Sequence, residues 1–294
     1  MKSSLVLIAN PAAKKASGQK IQTAARLFDY AGYDLKVFLT EKRGDAEVFA
    51  RNASSDGAGF VIAAGGDGTI NEVINGLAYT GTKMAILPLG TTNVLAKELG
   101  IPENIGGAVK RILNGSAHTV SLGKITFTHH ASRITRYFCL MAGIGFDADA
   151  VYGLSGGLKR YSGKWAYIAS GLRMLSMYSP ERLTFIVDGT AYAGYSAIIG
   201  KASRYGGDFK ATPDASITEP ELYACIMHGK RRVDVLRYVY GIVIGRHLRY
   251  KDVTYLKTSS VQIDGTAHAQ VDGEYLGTTP ATVSVARDAL KVVY

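Results

Sequence analysis

Gly65-Gly66-Asp67-Gly68-Thr69 joins an apolar run, Phe60-Val61-Ile62-Ala63-Ala64, to a segment in which Ile70, Val73, Ile74 and Leu77 repeat at helical spacing. A strand that passes through glycines into a helix suits a phosphate. Backbone N–H groups can approach phosphoryl oxygens with no Cβ in the way, and the helix directs the positive end of its dipole at the same point. Thr69 and Glu72 have capping-box spacing, which predicts a helix that starts at the loop. The carboxylate of Asp67 is out of place in a pure anion cradle and makes sense beside a divalent cation carried on the phosphates.

A second acidic segment, Val271-Asp272-Gly273-Glu274-Tyr275, sets two carboxylates around a glycine. Such a pair suits a general base for an attacking hydroxyl if one carboxylate reaches the γ-phosphate. Asp-Gly is equally a common hairpin turn, the reading given to Asp264-Gly265 nearby. Pro88-Leu89-Gly90-Thr91-Thr92-Asn93 repeats the strand-glycine-hydroxyl order, as a plain N-cap or a further phosphate contact. Asn10-Pro11, with Lys14-Lys15 after it, ends the first strand, and Thr40 ends the second. In a doubly wound sheet these open on the crevice that holds the Gly65 loop; ordinary turns with solvated lysines are the alternative.

Ser216, Glu219 and Glu221 offer oxygen ligands at a spacing that can hold Mg²⁺, or form an acidic surface loop. His129-His130 has no partner at ligand spacing. Gly143-Ile144-Gly145-Phe146-Asp147-Ala148 fits the dinucleotide pattern G-x-G-x-x-A, but its β-rich surroundings argue against that use, and no Walker loop occurs anywhere.

The elements that must position these groups change character along the chain. Strands Leu5–Ala9, Leu35–Leu39, Phe60–Ala64 and Met84–Leu87 alternate with helices Gly18–Ala31, Gly44–Ala53, the one after Thr69, Thr92–Leu99 and Asn104–Leu113. Repeated βα units predict a doubly wound parallel α/β nucleotide-binding domain over 1–123, with 288–294 as a candidate returning strand. Short Tyr, Val, Thr and Ile runs between Asp-Gly and Pro turns predict an antiparallel β-sandwich over 124–287. Two helices interrupt it, with apolar stripes Tyr161, Trp165, Ile168, Leu172, Leu175 and Val233, Leu236, Tyr240, Val243, Ile244. Both stripes are candidates for burial against the sandwich.

With 294 residues, 47% of them apolar, the chain can bury a substantial core. Its net charge of +10 favours acidic partners, whether nucleotide, anionic lipid or nucleic acid. Between Ser155 and Tyr255, 15 Lys and Arg stand against 8 Asp and Glu, among them Lys159, Arg160, Lys164, Arg173 and Lys230–Arg232. No run approaches the roughly 20 apolar residues that span a bilayer. Cys139 and Cys225 sit in apolar strand-like runs without CxxC spacing, as reduced thiols would in the cytoplasm.

Taken together, Gly65 to Val73, Pro88 to Asn93, Gly143 to Asp147 and Asp272-Gly273-Glu274 resemble the bacterial diacylglycerol kinase and sphingosine kinase-like lipid kinase family. The resemblance runs almost end to end. It implies ATP bound by Asn10, Pro11, Ala12, Ala13, Lys14, Thr40, Gly66, Asp67, Gly68, Thr69, Ile70, Asn71, Glu72 and Thr91 or Thr92, with Asp67 near the Mg²⁺-bound phosphates. It implies Glu274 as proton acceptor assisted by Asp272, and a structural metal at Ser216, Glu219 and Glu221, where Glu219-Pro220 replaces the usual Asp-Gly. The family commonly has Asp-Phe where this chain has Val94-Leu95, a difference that bears on acceptor choice. A lipid alcohol is the implied substrate, reached by transient contact with an anionic membrane surface and with no nucleic acid involved. An NAD kinase, which shares the glycine loop, and a non-catalytic nucleotide or lipid sensor are the alternatives.

Overall fold

The computed structural model describes residues 4–13, 17–128, 134–155, 175 and 178–294. They form two compact units, Met1–Leu122 with Thr218–Pro220 and Ala286–Tyr294, and Gly123–Ile217 with Glu221–Val285. His129-His130, Lys14-Lys15 and most of the Tyr161–Leu175 stripe with its cations lie outside the described residues. Among the described residues no helix is long and apolar enough to cross a membrane.

In the first unit the order is β1 Ser4–Ala9, α1 Ser17–Tyr30, β2 Asp34–Leu39, α2 Asp45–Ser55, β3 Phe60–Gly65, α3 Asp67–Leu77, β4 Lys83–Pro88, α4 Val94–Glu98, α5 Ile105–Asn114 and the start of β5 Ala117–Phe127. The strands lie in the order β2-β1-β3-β4, all parallel. Val61, Ile62, Ala63 and Ala64 are fully buried, as strands covered by helices on both faces require. Register does the positioning: Ala9 stands opposite Leu39 and Ala64, and Gly65 opposite Pro88. Asn10, Thr40, Gly66 and Leu89 therefore all leave the sheet at one edge, the carboxyl edge where open α/β sheets bind ligands.

The second unit continues with β6 Thr135–Phe138, β7 Met141–Ile144, α6 Phe146–Ser155, β8 Leu183–Val187, β9 Thr190–Gly194, β10 Ser196–Gly200, β11 Arg204–Tyr205 and β12 Phe209–Lys210. Then come β13 Leu222–Met227, α7 Arg232–Val243, a 3₁₀ turn at His247–Arg249, β14 Val253–Thr258, β15 Ser260–Asp264, β16 His268–Val271, β17 Glu274–Thr278 and β18 Ala281–Val293. One antiparallel sheet runs β18-β15-β8-β9 and the other β14-β13-β10-β7-β16-β17. Alternate residues such as Leu183, Phe185 and Val187 of β8 face a core that Ile144, Ile199, Ala224 and Ile226 fill from the other sheet. This is the expected β-sandwich. The last strand passes into the first unit, where Lys291 pairs with Lys83 and Val292 with Met84, parallel to β4.

Three local expectations are corrected. The helix expected from Thr92 begins at Val94, because Asn93 takes a left-handed conformation (φ 48°) as its N-cap. Asp264-Gly265 is no hairpin turn: it links β15 of one sheet to β16 of the other. In α7 the stripe Val233, Leu236, Tyr240, Val243, Ile244 faces outward, while Val235, Tyr238, Gly241 and Ile242 are buried. The inner face is also workable because Tyr238 donates its hydroxyl to Asp252 (2.5 Å) and Val235 packs with Leu175, Tyr178 and Phe146.

Candidate functional site

At the edge of the parallel sheet two glycine loops pack on each other. Gly90 lies so close to Gly66 that a Cβ on Gly90 would stand 2.5 Å from the Gly66 Cα. Leu89 and Gly90 both donate their N–H to the Gly65 carbonyl, at 2.9 and 3.2 Å. Glycine is needed here for close approach of backbone to backbone. The Gly65 and Pro88 segments thus form one surface, and Asp67 ties them further by accepting from Leu95 N–H (3.4 Å).

Helix α3 starts one turn earlier than the capping-box spacing suggests, at Asp67 with Gly66 as N-cap and no side-chain cap. Thr69 sits inside the first turn, where its hydroxyl accepts from Asn10 Nδ2 (3.4 Å). Glu72 does not reach back to the loop. Its two carboxylate oxygens accept from Gly44 and Ala46 N–H, at 2.9 and 3.1 Å, and so cap the start of α2. Asn71 accepts from the Asn75 amide, and Ile70 is core. Ile70, Asn71 and Glu72, named at the nucleotide from the sequence, are all buried.

Asp67 to Thr69 begin a helix of eleven residues, and the first-turn N–H groups of a helix have no carbonyl partner within it. Asn10 holds its own turn by accepting from Ala12 N–H (2.9 Å). Asn93 was not singled out by spacing: its Nδ2 donates to the Gly90 carbonyl (3.1 Å), while its buried Oδ1 meets no donor. First-turn amides, an acceptor awaiting a donor and the hard oxygens of Asp67 together fit a nucleoside phosphate with Mg²⁺.

In the second unit, Val271 pairs with Glu274, so Asp272-Gly273 is a two-residue hairpin loop with both φ positive, 48° and 84°. That geometry is the primed turn that Asp-Gly favours. The Asp272 carboxylate faces the buried segment before β7: Oδ2 accepts from Cys139 N–H, and Oδ1 from Leu140 and Met141 N–H, each at 3.0 Å. A carboxylate so engaged holds the hairpin in place. Glu274, the first residue of β17, is only partly buried.

The dinucleotide-like segment has a different part in the same structure. Fully buried Gln270 donates to Asp147 and accepts from Gly273 N–H (2.8 Å), linking the hairpin to α6. A Cβ on Gly143 would lie 1.8 Å from the Asp147 carboxylate, so this glycine makes room for that link. Tyr205 also donates to Asp147, and His268 Nδ1 lies 2.7 Å from Asp149. Spacing alone missed Gln270; the available signal was a polar residue between Ala269 and Val271.

Burial pushes the Asp147 carboxyl above its ordinary range, although the hydrogen bonds from Tyr205 and Gln270 pull the other way. A raised native value favours folding below the unfolded aspartate value of about 3.9, and that advantage is lost as pH rises through the native value. Asp147→Asn should therefore flatten the fall of stability from acid to neutral pH in urea unfolding. An unchanged slope would contradict the assignment.

Two of the three residues expected to hold a metal, Ser216 and Glu221, have lysine neighbours. Lys201, fully buried after β10, donates Nζ to the Ser216 carbonyl (2.6 Å). Glu221 pairs with Lys257 (3.2 Å), and Glu219 is exposed. Among the described residues no three His, Cys, Asp or Glu side chains converge. The Lys201 ammonium supplies a positive charge at this carbonyl. Lys201→Met should lower the melting temperature, by about 1–3 kcal/mol of stability for the carbonyl left without its donor.

Residues 4–125 match the diacylglycerol kinase catalytic domain, and residues 141–294 the YegS C-terminal NAD kinase beta sandwich-like domain. The diacylglycerol kinase of Bacillus subtilis (strain 168) is 30% identical over 282 residues, 93% of this chain and 90% of that protein. That of Staphylococcus aureus (strain bovine RF122 / ET3-1) is 31% identical over 283 residues, 94% of this chain and 87% of that protein. The crystal structure of a diacylglycerol kinase from Bacillus anthracis str. Sterne aligns with a TM-score of 0.77 at 23% identity, covering 100% of this chain and 97% of the other. Yeast NADH kinase complexed with NADH aligns at 0.54 with 11% identity, covering 100% and 84%. At these identities both solved structures speak for a shared fold.

Proposed function

The chain belongs to the diacylglycerol kinase family and is a lipid kinase, and on that premise we propose that it moves the γ-phosphoryl group of Mg-ATP to a hydroxyl of a lipid such as diacylglycerol or a sphingoid base. The observation that carries the nucleotide assignment is the joint surface of the Gly65 and Pro88 loops at the carboxyl edge of the sheet, with Asn10 and Thr40 at the same edge. Amides from Gly66 to Thr69 hold phosphate oxygens, and Asn93 Oδ1 accepts from a nucleotide hydroxyl. Asp67 would hold the magnesium ion, which, when bound, offsets charge on the transferring group.

Glu274 accepts the proton of the lipid hydroxyl as the oxygen forms its bond to phosphorus and the bond to the ADP oxygen breaks. Asp272 is a positioning residue, since its oxygens hold Cys139, Leu140 and Met141. Peripheral contact with a membrane follows from a substrate that resides there. Lipid extracts incubated with the protein, Mg²⁺ and γ-labelled ATP should yield a labelled lipid phosphate identifiable by mass spectrometry, while NAD with ATP yields no NADP. Label in NADP, or ATP binding without transfer to any lipid, would overturn the proposal.

A further inference from the structure

Helix α7 carries two apolar faces where a surface helix needs one. Its inner face is complete: Val235, Tyr238, Gly241 and Ile242 are buried. Its outer face shows Val233 (58% exposed), Leu236 (50%), Val239 (47%), Tyr240 (62%), Val243 (50%) and, just past the helix, Ile244 (40%). At about 100° per residue these six fall within an arc of roughly 140°, opposite the buried one. A contiguous apolar patch of this kind marks an interaction surface.

Cations stand at both ends of the patch. Lys230, Arg231 and Arg232 are exposed before it, and Arg246, Arg249 and Lys251 after it. From His228 to Asp252 seven Lys and Arg face two Asp, a net of +5. Both aspartates are engaged, Asp234 with Arg231 (3.0 Å) and Asp252 with Arg237 and Tyr238. Beside the start of the helix a cavity of about 680 Å³ is lined by His228, Lys230, Arg231 and Arg237 together with Asp234 and Asp252.

We propose that the outer face of α7 docks on an anionic phospholipid bilayer, the apolar side chains entering the headgroup boundary and the flanking cations meeting lipid phosphates. An apolar face bordered by Lys and Arg is the pattern of an interfacial helix. A second copy of the chain fits less well, because a two-fold contact through this patch would confront clusters of like charge. The proposal rests on the lipid kinase reading, which requires the enzyme to reach a substrate held in a membrane.

Sedimentation with phosphatidylcholine vesicles, with and without phosphatidylglycerol, tests it. The parent should bind the anionic vesicles in a salt-sensitive way. Leu236→Glu/Tyr240→Glu and Lys230→Glu/Arg232→Glu should each reduce binding at least about tenfold, without change in melting temperature, since all four residues are exposed. Turnover of a short-chain diacylglycerol dispersed as monomers should be the same in parent and variants. Undiminished vesicle binding in both variants, absence of binding by the parent, or a dimer of the parent that Leu236→Glu/Tyr240→Glu dissociates would overturn the docking surface. Loss of vesicle binding in the variants together with no phosphorylation of any lipid would uphold the surface and sink the kinase reading.

Discussion

Glu274→Gln should lower kcat by about 10²–10⁴-fold, the range removed with a general base. The KM for ATP should change little, because the nucleotide contacts we assign belong to the first unit. The substitution preserves size and keeps a hydrogen-bonding side chain at the first position of β17, which is only partly buried, so folding should be unaffected. The residual rate should also lose the acidic limb of the pH profile, since the group whose ionisation that limb reports is gone. Near-normal turnover in a folded protein would remove Glu274 from the mechanism.

Asp272 is expected to behave differently, and the contrast separates a positioning residue from a base. Asp272→Ala leaves Cys139, Leu140 and Met141 N–H without their acceptor, in a segment where all three residues are buried. Each unpaired buried donor costs about 1–3 kcal/mol, so a loss of roughly 3 kcal/mol or more is expected in urea unfolding. Alanine is also a poor occupant of the left-handed turn position that Asp272 holds at φ 48°. Asp272→Asn keeps the turn and one acceptor oxygen and should recover much of that stability. If Asp272 acts only through the hairpin, kcat falls in both variants while the pH profile keeps its shape. A shifted limb in Asp272→Asn at parental stability would show instead that Asp272 itself titrates in the reaction.

Most of the fold was readable because its signals are local. The apolar run Phe60–Ala64 ending in glycine, with helical spacing after Ile70, suffices to place β3 within a residue and the start of α3 within about one turn. Errors arose where side chains choose distant partners. Thr69 and Glu72 have the spacing of a capping box, yet Glu72 finds Gly44 and Ala46, 28 and 26 residues away. Asp264-Gly265 and Asp272-Gly273 are the same dipeptide, but only the second joins strands of one sheet. In α7 the five-residue stripe was legible and its direction was not, because Tyr238 turns inward where its hydroxyl meets Asp252 and Gly229, partners outside the helix.

What the chain sequence determined by itself is the chemistry available: a glycine-rich acidic loop between strand and helix, a late pair of carboxylates, a basic second half and a fold class set by periodicity. Tertiary structure decided which backbone and side-chain partners surround those groups. Parallel register brings Asn10, Thr40, Gly66 and Leu89 to one edge, a relation between segments up to about eighty residues apart that no local pattern encodes. Buried N–H groups must find acceptors, so Asp272 accepts from Leu140, Glu72 from Ala46, and the Ser216 carbonyl from the buried Lys201 ammonium. Hydrogen-bond satisfaction across the fold, more than residue type, set the partners of these groups, because a buried donor or acceptor must be matched by a segment that is distant in sequence.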